Sequence, residues 1–219
     1  MNVKETINVA SEELMKIGSL DAKLEAEVLL RYVLKIDRAT MFQDLDEDVS
    51  IEDSGNIASL VKRRTQREPL AYITRVKEFY GLPFAVSEDV LIPRQETELL
   101  VDAAIVQAKL LDKNEISIVD VGTGSGAIAV SLALNIPTAS VVAVDISEAA
   151  LVIADDNRRT HGLYSRVELR RGDLLEPIID KIDILVSNPP YIRSDKLTSL
   201  QEEVLKEPMV ALDGGYDGL

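Results

Sequence analysis

From residue 116 onward, short apolar runs alternate with stretches of helical character, and no other feature of the chain constrains its fold as tightly. ISIVDV (116–121), SVVAVDI (140–146), RVELRRGD (166–173) and IDILVSN (182–188) have the length and β-branched content of strands. Helices are expected directly after GTGSG (122–126) and from Ser147 to about Thr160. Strands separated by helices predict a parallel sheet covered by helices, an α/β fold.

The first seventy residues follow a different period. VKETINVASEELMKIG places Ile7, Ala10, Leu14 and Ile17 at helical spacing, with Gly18 as a stop. DAKLEAEVLLRYVLKI starts at Asp21, a good N-cap residue, and carries Leu24, Val28, Leu29, Tyr32 and Val33 toward one side. A short helix is expected near 38–45, and another over IEDSGNIASLVKRRTQ with Ile57, Leu60 and Val61 inward. Helices joined by short loops form a small bundle. Lys62, Arg63, Arg64 and Arg67 make the one dense basic cluster, and a solvated helix face is the plain expectation for it. AYITRVKEFYGLPFAV then alternates around Gly81–Leu82–Pro83, the pattern of a β-hairpin. RQETELLVDAAIVQAKLL (94–111) is a helix with Leu99, Leu100, Ala103, Ile105 and Val106 available for burial. The expected organisation is a helical domain over 1–72, a hairpin linker over 73–92 and an α/β domain over 93–219.

The chain carries 24 basic and 38 acidic side chains, a net charge of −14. Residues 1–75 hold 11 basic and 14 acidic groups, a net of −3, whereas residues 76–219 hold 13 and 24, a net of −11. Affinity for nucleic acid rests on Lys and Arg neutralising phosphates, so this balance weighs against direct nucleic-acid binding. With no cysteine, disulfides and thiolate metal sites are impossible, which fits a reducing cytoplasm. No apolar run approaches the ~20 residues that span a bilayer. The N-terminus lacks the continuous apolar core of a secretory signal. A soluble, monomeric, cytoplasmic protein is expected.

Three stretches carry chemistry. In VDVGTGSGAIAV, Gly122, Thr123, Gly124, Ser125 and Gly126 join a strand to a helix. Glycines there allow a tight turn and close ligand approach, and the helix N-terminus adds oriented N–H donors. Asp145 follows 23 residues after Gly122 at the end of the next strand, where a carboxylate can accept from both hydroxyls of a ribose. Together they indicate a nucleoside cofactor at the carboxyl edge of a sheet, without separating a nicotinamide dinucleotide from S-adenosylmethionine. Asp173, after the third strand, is placed to recognise an exocyclic amine, with Leu174 packing on the base. Taken by itself, Asp173 is better explained as an ordinary surface aspartate in a Gly–Asp turn.

The third stretch is SNPPYI (187–192). Pro189 and Pro190 each lack an N–H and fix φ, and Asn188 is pushed toward extended geometry by the proline after it. The loop is stiff and presents two acceptors, the Asn188 side-chain oxygen and the Pro189 carbonyl. Two fixed acceptors match an –NH₂ group, and Tyr191 offers a flat face for a planar group. Such a corner binds an amide or amino group and aims its nitrogen. His161, the single histidine, precedes Gly162 at a helix end, where C-terminal capping is the expected role. Nothing supports a metal site.

These motifs, together with REPLAYIT, EFYGLPFAV, VLIPRQETELLV and EPMVALDGGYDGL, resemble the HemK/PrmC family within the class I S-adenosylmethionine-dependent methyltransferases. The resemblance covers nearly the whole chain. It implies a Rossmann-like sheet and S-adenosyl-L-methionine as cofactor, with S-adenosyl-L-homocysteine as product. It also implies methylation of the glutamine in the Gly-Gly-Gln motif of peptide-chain release factors, with the helical domain recognising that protein substrate. Cofactor binding falls to Gly122, Thr123, Gly124, Ser125, Gly126, Asp145, Asp173, Leu174 and Asn188, and catalysis to Asn188, Pro189, Pro190 and Tyr191. Two positions depart from the family: Gln95 stands where proline is usual, and Arg75 where glycine is usual. The family also continues beyond DGGYDGL, so the closing strands of the sheet are expected to be missing from this chain. Asn-Pro-Pro-Tyr also occurs in amino-group DNA methyltransferases, so a nucleic-acid adenine or cytosine methyltransferase is the alternative, and a cofactor-binding module without activity the third reading.

Overall fold

The apolar periodicity of the first seventy residues folds into five helices: α1 (Val3–Lys16), α2 (Ala22–Leu34), α3 (Arg38–Gln43), α4 (Ile51–Thr65) and α5 (Leu70–Thr74). The computed structural model describes residues 1–218, and these fall into a first unit, Met1–Thr74, and a second that begins at Arg75. α1 opens on a capping box, in which Asn2 accepts from the Glu5 N–H at 2.8 Å and Glu5 accepts from the Asn2 N–H at 3.1 Å. Leu14, Leu29, Leu30 and Met41 are fully buried at the centre of this unit.

Three details of the first unit depart from the sequence reading. Asp21 precedes α2 but its side chain makes no capping bond. Leu24 and Tyr32 are exposed, because the buried stripe of α2 runs through Ala22, Ala26, Leu29 and Leu30 instead. The basic cluster is not a uniformly solvated face. Arg64 continues the inward row Ile57–Val61–Arg64, is buried, and pairs with Glu25 of α2 at 3.0 and 3.1 Å. Arg63 meets Glu68 at 2.8 Å.

In the second unit, β1 (Val76–Phe79) and β2 (Leu82–Ala85) form an antiparallel hairpin with Val76 opposite Ala85. Tyr80 and Gly81 both take positive φ at its turn, the geometry that matches strand twist. The hairpin is shorter than its alternation suggested. AYIT belongs to α5, since the Pro69 carbonyl accepts from the N–H groups of Tyr72 and Ile73 and starts a helical turn. Nor does the hairpin stand free as a linker: Phe79 and Phe84 are buried in the core of the second unit, their rings edge to face at 6.1 Å.

A 3₁₀ turn at Gln95–Thr97 leads into α6 (Glu98–Leu111), which buries Val101, Ala104 and Ala108. Leu99, Val106 and Ala103, expected inward, are exposed. Four parallel strands follow: β3 (Ile116–Val121), β4 (Ala139–Asp145), β5 (Val167–Arg171) and β6 (Ile184–Ser187), interleaved with α7 (Ala127–Asn135) and α8 (Glu148–Thr160). Their order is β5-β4-β3-β6, so the chain builds outward from β3 and then crosses back to its other side. Every residue of α7 from Ala127 to Ala133 is buried, which explains why that helix is apolar all round. Val121 lies opposite both Val144 and Ser187, so β3, β4 and β6 end level with one another. Beyond β6 come three 3₁₀ turns and a parallel bridge from Ile192 to Asp213. No helix among the described residues is long and apolar enough to cross a membrane.

Candidate active site

Level strand ends bring three loops to one edge. Ligands of open α/β sheets bind where the strand order reverses, at the carboxyl ends. Here that point lies beside β3, between the loops that begin at Gly122 and Asn188.

The glycine loop is shaped by backbone conformation. Gly122 (φ 72°), Gly124 (φ 55°) and Gly126 (φ 78°) are all left-handed, a region other residues enter only with strain. A side chain on Gly122 or Gly124 would project into open space, whereas one on Gly126 would meet Ala154 Cβ at 3.2 Å. The first two therefore leave room for a ligand, and the third lets α8 approach.

Asp145 ties this loop to the next helix: its Oδ2 accepts from the Gly124 N–H at 2.8 Å and its Oδ1 from the Ser147 N–H at 2.9 Å. Ser147 in turn caps α8 by accepting from the Ala150 N–H at 3.2 Å. Each Asp145 oxygen has a second lone pair left for a ligand. Asp173 and Leu174 lie at the rim, both exposed. Leu174 takes φ 46°, a left-handed conformation unusual for a branched aliphatic residue.

Asn188 follows a strand end fixed by the Ser187 hydroxyl, which donates to the Val121 carbonyl at 2.8 Å. The Asn188 Nδ2 is turned to Thr97 Oγ1 at 3.4 Å, which leaves the amide oxygen as the end available to a ligand. Gly122, Thr123, Gly124, Ser125, Asp145, Asp173, Leu174, Asn188, Pro189 and Pro190 all line one cavity of about 360 Å³. Gly126 does not line it, and Tyr191 lines a second cavity of about 380 Å³ that shares Thr97, Asn188 and Pro189 with the first.

Several contributors escaped the sequence reading. Asp89, Thr97 and Asp213 line the first cavity, the last from a segment far along the chain. Four aspartates, Asp89, Asp145, Asp173 and Asp213, are among its lining residues, and no Lys or Arg is. Asp120 sits fully buried beneath the glycine loop. Its Oδ2 accepts from the Thr123 hydroxyl at 2.6 Å, while its Oδ1 has no well-formed hydrogen bond. Burial pushes this carboxyl up to about 7, helped by the Asp145 charge and opposed by the Thr123 hydroxyl and the Ala129 amide. Asn157, also buried, accepts from the Ala85 N–H at 2.7 Å and donates to the carbonyls of Ala85 (3.0 Å) and Ser125 (2.8 Å). It joins the hairpin and the glycine loop to α8. The His161 side chain does not cap α8. Its Nε2 meets the Pro83 carbonyl at 2.9 Å and its ring packs on Phe84, so His161 stands at the C-cap through its backbone N–H, joined by those of Gly162 and Leu163.

Fold and site together define a methyltransferase-type α/β protein. Residues 97–215 match the methyltransferase small domain, and residues 5–74 match the PrmC N-terminal domain. The chain is 43% identical to the release factor glutamine methyltransferase of Moorella thermoacetica, over all of this chain and 77% of that protein. It is 44% identical to the protein of the same name from Geobacter sulfurreducens, over 92% of this chain and 70% of that one. Among solved structures, the catalytic domain of hMettl16 shares the fold at a TM-score of 0.51 and 15% identity, over 66% of this chain and 55% of that one. The chain belongs to the release factor glutamine methyltransferase family.

Proposed function

We propose that the second unit binds S-adenosyl-L-methionine and transfers its methyl group to the side-chain nitrogen of the Gly-Gly-Gln glutamine of a peptide-chain release factor. One observation carries the choice of cofactor: a cavity lined by four aspartates and by no Lys or Arg. A dinucleotide brings a pyrophosphate, whose charges these carboxylates repel. A sulfonium with an ammonium group brings the opposite sign. The cavity also has the size of an ordinary small-molecule site. Gly122 and Gly124 give the ligand backbone contact, Asp145 accepts from the ribose hydroxyls, and Leu174 packs on the base beside Asp173.

When bound, S-adenosylmethionine supplies a methyl carbon on a sulfonium sulfur, which keeps the C–S bonding pair and leaves as S-adenosylhomocysteine. What the chain must do is position the acceptor. An amide nitrogen is a weak nucleophile because its lone pair is shared with the carbonyl. The Asn188 oxygen and the Pro189 carbonyl accept from its two N–H groups and hold the nitrogen where the two cavities meet. Pro190 keeps that corner rigid, and Tyr191 stacks on the amide from the acceptor side. The nitrogen's surplus proton passes to water after the N–C bond forms, so no general base is needed first. The helical unit supplies a further grip on the release factor, a substrate that places the reaction in the cytoplasm.

Labelled S-adenosylmethionine incubated with a release factor, and separately with adenine- and cytosine-containing DNA, tests the proposal. Label on the release factor, located to its Gly-Gly-Gln glutamine by tandem mass spectrometry, is the expected result. Label on DNA instead would establish the nucleic-acid reading.

A further inference from the structure

We infer that Gly214 is a positioning residue for the reaction: its missing side chain lets the segment Leu212–Gly215 press against the Asn-Pro-Pro-Tyr loop and hold the acceptor corner in place. The inference rests on the assignment of that loop to the acceptor amide.

Two prolines stiffen a loop internally but do not anchor it to the rest of the fold. The anchor is a short parallel ladder made by a segment some twenty residues later. Ile192 N–H donates to the Leu212 carbonyl at 3.1 Å, Gly214 N–H donates to the Ile192 carbonyl at 2.8 Å, and Ser194 N–H donates to the Gly215 carbonyl at 2.9 Å. Asp213 reinforces it from the side, accepting from the Ser194 hydroxyl at 2.7 Å and the Gly215 N–H at 2.9 Å. Those two hydrogen bonds hold the Asp213 carboxyl below the usual range and so keep it charged.

The fit has no clearance. A Cβ on Gly214 would lie 2.8 Å from both the Pro190 carbonyl oxygen and Tyr191 Cα, and 3.0 Å from the Tyr191 carbonyl carbon. These are backbone atoms, which cannot swing aside as a flexible side chain does. Gly214 does not take a positive φ, so its need for glycine is one of space. Gly218 also backs onto this loop, with a Cβ 2.6 Å from the Tyr191 carbonyl oxygen, and its φ of 79° asks for glycine on conformational grounds as well. Two glycines in one short run both back onto Pro190–Tyr191, immediately after the pair of acceptors. Adding a methyl group must therefore part the two strands of the ladder and shift Pro189 and Asn188. Small misplacements of a positioned group cost rate steeply.

Gly214→Ala in the full chain tests this, read as turnover on a release factor at saturating substrates and as S-adenosylmethionine affinity by calorimetry. The expected result is a fall in kcat of at least tenfold with cofactor affinity within threefold of wild type. A kcat within twofold of wild type overturns the inference, as does a loss of cofactor affinity as large as the loss of turnover, which would mark a general collapse. Should the variant fail to fold, Ser194→Ala, an alanine variant that removes the Ser194 hydroxyl's bond to Asp213 in the same ladder, is read with the same two outcomes. If wild-type protein methylates no release factor, the underlying functional assignment fails. If wild type turns over and both alanine variants match it, only the positioning role of Gly214 and its ladder fails.

Discussion

Asp120 is a carboxyl whose chemistry is set by where the chain puts it. It lies next to last in a buried strand, beneath the glycine loop, with one oxygen lacking a well-formed hydrogen bond, and burial raises it to about 7 from 3.8. Between those values the native state holds a proton that the unfolded state has lost, so native stability falls as pH rises through that window. Asparagine cannot ionise. Asp120→Asn is therefore expected to match wild type in stability near pH 4 and to exceed it increasingly up to about pH 7, with a constant margin above; urea melts across pH measure this. A margin that shrinks with rising pH would contradict it. Arg75 is a second residue whose cost is local. It takes φ 62° between α5 and β1, which gives a physical reason for the glycine usual in the family at this position. Arg75→Gly is expected to stabilise the protein by about 1 kcal/mol in the same melts. Its sign could not be read from the sequence, because φ is a property of the junction.

Asn157 shows how an element is held by one side chain. It lies on the buried stripe of α8 with Ala150 and Ala154 and serves three backbone groups on β2 and the glycine loop. Asn157→Ala strands those groups and is expected to cost about 3 kcal/mol by denaturant unfolding. Asn157→Asp, similar in size, should not rescue it, since two of the three bonds need an N–H donor. The signal was present in the sequence as a polar residue on an apolar helical face, though its partners were not. Strands β3, β4 and β6 and helix α8 were legible because buried parallel strands are largely apolar runs and Ser147 marks a helix start, whereas β5, at the sheet edge, reads VELRR with a single buried residue. α6 was legible as a helix but not in its orientation. Apolar residues surround most of its circumference, so its period does not say that Val101, Ala104 and Ala108 face inward. The basic run of α4 misled for a related reason. Arg64 sits at helical spacing from Val61, and its pairing with Glu25, 39 residues earlier, helps make burial tolerable.

At the scale of the whole molecule, two motifs 66 residues apart become neighbours through register alone. Val121 stands opposite Ser187, so the loop that starts at Gly122 and the corner that starts at Asn188 leave the sheet side by side. Both loops were legible as motifs, because glycines and paired prolines announce backbone shape. What the sequence left open was the sign of the charge between them. Asp89 and Asp213 arrive from remote segments to complete a cavity edged with carboxylates, and no local pattern foretells that meeting. In the proposed function that acidic character favours a sulfonium ligand over a dinucleotide, and the Asn-Pro-Pro corner is assigned to the acceptor. Turnover and cofactor affinity of Asn188→Ala, measured side by side with a release factor substrate, test this division of labour most directly. The account predicts a loss of turnover of at least a hundredfold with S-adenosylmethionine binding still measurable; unchanged turnover would contradict it.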